Sequence, residues 1–297
     1  MGVQLNVDIP GSITELREAM RDFALRLKLY RILLRGKALE FEGYRTYESD
    51  DDASVIDWKA STRSNKLMVK QYREEQDLKI LFVVDVGEHM ISGSTAKLKC
   101  EYATEAATSL AHLILESGDK IGLIAYSEKV KEVILPKRGI KHFQYIADVL
   151  SDSSTYGGGS NLSSVLDFLI DYIDTSVKGI VIISDFINFP NSIADKLGII
   201  GNQFETFAIM VKDPMDRYLP SVNGELTIEN PITGEQLLVN PKLAGASYAA
   251  YTAIEQVRVE NIFKKANIDL LSLTTDSKFV PALSEFLKSR LKQRKSF

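Results

Sequence analysis

The chain has 297 residues, 45% of them hydrophobic and 26% charged, with a formal net charge of -4; this is the balance of an ordinary globular protein and excludes disordered and fibrous classes. The mild acidity speaks against a dedicated nucleic-acid binder, whose phosphate contacts need clustered Lys and Arg, and no apolar run nears the roughly 18 residues required for membrane insertion. The single cysteine, Cys100, excludes an intrachain disulfide and suits a reducing, cytoplasmic setting.

Taken in order, Ser12-Ile13-Thr14-Glu15 has capping-box spacing, and apolar residues recur at Ile13, Leu16, Met20, Phe23, Leu27, Tyr30 and Leu34 until Gly36 offers a C-cap. This predicts one amphipathic helix and sets off residues 1–36 as an N-terminal segment. Residues 37–77 mix aromatic and charged positions with acidic turns, which predicts short strands and loops. Residues 78–297 form the main domain. Within it Ile80 to Val84 is a continuous apolar strand ending in Asp85, and a helix spans about Ala96 to Glu116. Ile121 to Tyr126 and Val130 to Leu135 form a hairpin, and helices follow near 140–150 and 162–173, parted by the turn-rich SSTYGGGSN. A second buried strand, Gly179 to Ser184, ends in Asp185; a short helix near Ser192 leads to a strand over 204–211. An excursion hairpin occupies 214–241, and a long helix over 243–266, a strand over 268–273 and a helix over 280–292 complete the chain.

Strands alternating with helices predict an α/β fold with a mostly parallel sheet of about six strands and helices on both faces. Residues 37–75 and the 215–241 hairpin are expected to join as a smaller β-containing subdomain. The basic run Lys288 to Lys295 reads as a solvated helix end, where cations complement the dipole.

In open α/β sheets, ligands gather beyond the carboxyl ends of the strands. Asp85, Gly157-Gly158-Gly159-Ser160 and Asp185 all land there. Two carboxylates and a hydroxyl are hard oxygen donors, so Asp85, Ser160 and Asp185 are candidate ligands for Mg²⁺ or another divalent cation. The set is similar to the metal-ion-dependent adhesion site of von Willebrand A domains, whose first loop reads DxSxS and whose later loops give a Thr and an Asp. Here Gly87 and His89 stand where the two serines are expected, and Ser160 stands for Thr.

A second resemblance lies between Leu39 and Asp77. Glu40, Phe41, Arg45, Tyr47, Asp50, Asp51, Ile56, Asp57, Trp58, Lys59 and Arg63 fall in register with the domain-of-unknown-function family numbered fifty-eight, with Ser49 in place of the usual Gly. Asp213-Pro214 and Thr233-Gly234-Glu235 fit as well. The resemblance implies a von Willebrand A-like domain that serves as a non-enzymatic adaptor for an AAA+ ATPase of the MoxR type. On this reading Asp85, Gly87, His89, Ser160, Asn161 and Asp185 form a partner-binding edge. Arg45, Trp58 and Arg63 add a further contact, since Arg and Trp are enriched at interface hot spots. The alternative is a metal-dependent hydrolase with His89 as base beside Asp85 and Asp185.

Overall fold

The computed structural model describes residues 5–21, 39–48, 56–74, 78–174, 176–229 and 233–294. In chain order these give α1 (Ile9–Ala19), β1 (Leu39–Thr46), α2 (Trp58–Ser64), β2 (Met68–Glu74), β3 (Lys79–Asp85), α3 (Lys99–Glu116), β4 (Lys120–Tyr126), β5 (Val130–Lys137), α4 (Ile140–Ser151) and α5 (Leu162–Tyr172). They continue with β6 (Val177–Ser184), α6 (Ala194–Gln203), β7 (Glu205–Lys212), β8 (Leu226–Glu229), β9 (Gln236–Val239), α7 (Pro241–Lys265), β10 (Asp269–Thr274) and α8 (Phe279–Arg294).

Six strands make one sheet in the order β10-β7-β6-β3-β4-β5, parallel except for the β4–β5 hairpin. β3 and β6 are apolar along almost their whole length because both faces are covered. Their side chains alternate between two cores. Ile80, Phe82 and Val84 face a cluster built from α1, α3, α4 and α8; Leu81 and Val83 face one built from α5, α6 and α7. Counted from β3 along the chain, the strands lie third, second, first, fourth, fifth and sixth across the sheet. The order reverses between β3 and β6. Loops leaving those two strands diverge to opposite faces, which opens a crevice at their carboxyl ends.

Three expectations need correction. The first helix is capped by Asp8, whose carboxylate accepts from Gly11, with Pro10 in the first turn; Ser12 lies inside the helix and is buried. Proline fits there because the first-turn N–H has no helical partner. The later half of that expected helix, 22–38, lies outside the described residues. Second, β1–β2 and β8–β9 form two separate two-stranded antiparallel sheets. Third, Arg290 of the basic run is buried. It pairs with Glu205 and Asp269, each at 2.7 Å, and lies over the Phe207 and Phe286 rings, so this part of the run braces the sheet.

Candidate functional site

Asp85 ends β3 and Asp185 follows β6, so the two carboxylates flank the crevice at the reversal. Both are buried, at 0% and 1% exposure. Asp85 is saturated with donors. Its Oδ1 accepts from the Gly87 amide at 3.0 Å, and its Oδ2 accepts from the Ser160 and Ser184 hydroxyls at 2.7 and 2.8 Å. Asp185 Oδ1 accepts from the Ile187 amide at 3.0 Å, and its Oδ2 takes the Lys99 ammonium at 2.7 Å. The His89 ring closes the gap, with Nε2 3.3 Å from Asp85 Oδ2 and 3.4 Å from Asp185 Oδ1.

Lys99 sits in the first turn of α3, where the helix dipole disfavours a cation. Its ammonium is held instead by Asp185 and, at 3.3 Å, by Asp216. Burial works against the charged form of both partners, but the pairing wins. The Asp185 carboxyl is held below its usual range by Lys99 and His89, and Lys99 is raised by Asp185 and Asp216. For His89, burial again opposes the charge, and the Asp85 hydrogen bond with the Asp185 field overcomes it, so the imidazolium is favoured. The fully buried Tyr126 hydroxyl lies beside Ser184 and Asp85 without completing a well-formed hydrogen bond. Burial first, and the Asp85 charge second, push that phenol well above its ordinary value.

The loops fit tightly. Glu88 N–H donates to the Gly158 carbonyl at 2.8 Å and Gly157 N–H to Val86 at 2.9 Å. A Cβ on Gly87 would stand 2.5 Å from the His89 ring and 2.9 Å from the Gly159 carbonyl oxygen. Glycine at 87 is therefore what makes room for histidine at 89.

Residues 43–257 match the family described as Protein of unknown function DUF58. The chain belongs to this family. Among curated relatives, the uncharacterized protein Rv1480 of Mycobacterium tuberculosis is 25% identical over 263 residues, which is 87% of this chain and 81% of that protein. Among solved structures, an aerotolerance-related membrane protein from Bacteroides fragilis is 12% identical with a TM-score of 0.47, covering 73% of this chain and 99% of that one. The SpRpn10 VWA domain is 10% identical with a TM-score of 0.42, covering 71% and 94%. The α/β fold stands on the strand order of the sheet and the helices on both its faces.

The DUF58 chain thus brings Asp85, Gly87, His89, Ser160 and Asp185 together, while Asn161 caps α5 by accepting from Ser164 at 3.2 Å. Arg45, Trp58 and Arg63 lie on the separate β1–α2–β2 unit, where Trp58 is 67% exposed and Asp57 caps α2. Asp50 and Asp51 of the family resemblance fall outside the described residues. The donor set does not fit a divalent cation. Asp185 already holds the Lys99 ammonium, which would repel a metal ion, the His89 ring stands between the two carboxylates, and Gly87 supplies no side-chain ligand. Among the described residues no set of three or more His, Cys, Asp or Glu is arranged to hold a metal.

Sequence reasoning missed Lys99, Ser184, Lys212, Asp213 and Asp216. Asp213 accepts from the Ser94 amide and hydroxyl and from the Met215 amide and Thr275 hydroxyl, tying the loop after β3 to the end of β7. Its position one residue beyond a buried strand, like Asp85 and Asp185, was the available signal. From His89 and Lys99 a groove of about 950 Å³ runs to the β8–β9 hairpin. Beside it lies a smaller pocket of about 240 Å³ against α7.

Proposed function

We propose that this DUF58 chain is a non-enzymatic recognition module, working as an adaptor for an AAA+ ATPase of the MoxR type and binding its partner along the carboxyl-end edge of the sheet without a metal ion. One observation carries the reading: an apolar stripe adjoins the crevice. Tyr251, Ile254 and Val257 recur every three residues on α7 and are 63%, 68% and 55% exposed. Leu237 of the hairpin, on the groove wall, is exposed as well. Large apolar side chains grouped beside a polar crevice are the usual anatomy of an interface, and scattered ones are not.

Asp85 and Asp185 organise this surface from below. A hydrolase that uses His89 as base is disfavoured by the same geometry, because an imidazole held between two carboxylates is stabilised with its proton on. The buried Cys100, whose thiol burial pushes up to about 12, has no nucleophilic role in this reading. Among the described residues no helix is long and apolar enough to cross a membrane, and we place the adaptor in the cytoplasm.

The test is capture of the MoxR-type ATPase of the same genome by the tagged full chain and by Ile254→Glu. Ile254 is exposed, so its replacement leaves thermal unfolding unchanged within about 0.5 kcal/mol while retained ATPase falls several-fold. Equal capture by both chains would remove this edge from the interaction.

A further inference from the structure

We propose that the pocket between the end of β7, the loop after β6 and α7 is a carboxylate-binding subsite that receives an acidic side chain of the partner protein. This rests on the reading of the edge as a recognition surface. The pocket, about 240 Å³ in volume, is lined by Phe186, Lys212, Arg217, Tyr248 and Tyr251 among others. That is below the roughly 300–1,000 Å³ of small-molecule and cofactor sites, and it suits one side chain.

Its charges are unevenly engaged. Lys212 and Arg217 line it with two carboxylates, Asp216 and Glu255, and both carboxylates are engaged by cations outside the lining. Glu255, also at the pocket wall, is engaged by Arg258 at 2.7 Å. Asp185 and Asp216 both hold Lys99. The Lys212 side chain makes no ion pair or hydrogen bond among the described residues. The Arg217 guanidinium gives one bond, Nη2 to Ser272 Oγ at 3.0 Å, while its Nε is buried with no partner. Burial holds the Lys212 ammonium below its ordinary value, and the fields of Asp185 and Asp216 restore only part of the loss. A carboxylate entering the pocket would supply the missing countercharge to both cations, and charge-assisted bonds of this kind are the stronger ones.

The wall is built for contact. Phe186 has a φ of 50°, a region a bulky side chain seldom adopts, whereas Asn188, at 54°, is of the type that tolerates it. The Phe186 ring is locked in place against Phe189 and Phe263, and Arg258 donates to the Phe189 carbonyl at 2.7 Å. Two polar groups of α7 at this wall bind the segment after β7: Tyr248 donates to the Met215 carbonyl and Thr252 to that of Arg217. The pocket wall thus combines aromatic rings with two cations, Lys212 and Arg217, and two carboxylates already committed to Lys99 and Arg258, which leaves the cations to receive a Glu or Asp with its methylene stem.

Titration of the isotopically labelled full chain with sodium glutarate, at fixed ionic strength, reads the subsite through the backbone amides of Ile187, Asn188 and Arg217. Saturable shifts confined to these and neighbouring amides, weakened about tenfold or more by Lys212→Met, are the expected result; Arg217→Gln provides a second variant with the same expected loss. Absent shifts, shifts unchanged by either variant, or a stronger response to inorganic phosphate overturn the carboxylate assignment. If that happens while Ile254→Glu still loses the ATPase, the recognition edge stands and only the subsite falls. If glutarate binds as expected but Ile254→Glu keeps the ATPase, the recognition reading fails, and with it the assignment of a partner side chain as occupant.

Discussion

Serine at 87 and histidine at 89 compete for one space, because a Cβ at 87 would lie 2.5 Å from the His89 ring. Glycine at 87 and histidine at 89 therefore belong together, the small residue leaving room for a ring that reaches both carboxylates. Gly87→Ser in the native background should cost about 1–3 kcal/mol through overpacking, and His89→Ser should relieve a large part of that cost. Urea denaturation of the single and double variants measures the coupling; additive effects would contradict it. His89 also sets a pH dependence. Its folded-state pKa is raised above the ordinary 6.5, so its contribution is fully present below that value and is lost as pH rises through the folded pKa. His89→Gln should flatten this segment of the stability curve. At this scale Asp85 and Asp185 were legible because a carboxylate directly after an apolar run marks a strand end. Lys99 was not, since a lysine within a helical pattern carries no sign of whether it faces solvent or a buried aspartate.

Elements were easier to read than their joints. β3, β6 and β7 announced themselves as continuous apolar runs, and the β4–β5 hairpin by its three-residue connection, because burial on both faces or a tight turn constrains composition directly. The first helix shows the limit: Ser12-Ile13-Thr14-Glu15 matches a capping box, but Asp8 with Pro10 is the stronger N-terminus in three dimensions. Cap identity depends on where the preceding chain runs. Here the Asn6 and Asp8 amides donate to Glu101 and Glu105 of α3, contacts across some 95 residues that no local pattern encodes. α1 is accordingly integral to the main core. Leu16 is 1% exposed within the cluster shared with α3 and α8, and Leu16→Ala should cost about 2–5 kcal/mol in chemical denaturation. A loss below about 0.5 kcal/mol, the range of surface positions, would mean that α1 is a detachable appendage.

Across the whole molecule, the reversal of strand order between β3 and β6 is what gathers residues from positions 85 to 217 at one edge. The alternation of strands and helices made the layered fold readable, and with it the edge. The filling of the site was hidden, since it depends on which side chains of four separate loops meet. Lys99 and the His89 ring already contact the two carboxylates, so recognition at this edge should be indifferent to metal. The most direct test places a photo-crosslinking residue at Tyr251, beside the pocket, or at Tyr172, also exposed but on α5, and irradiates the full chain with the MoxR-type ATPase in excess chelator. The account predicts a crosslinked complex from position 251 and none from 172, with the same yield when Mg²⁺ is restored. Crosslinking that requires Mg²⁺, or that arises from position 172 alone, would contradict it.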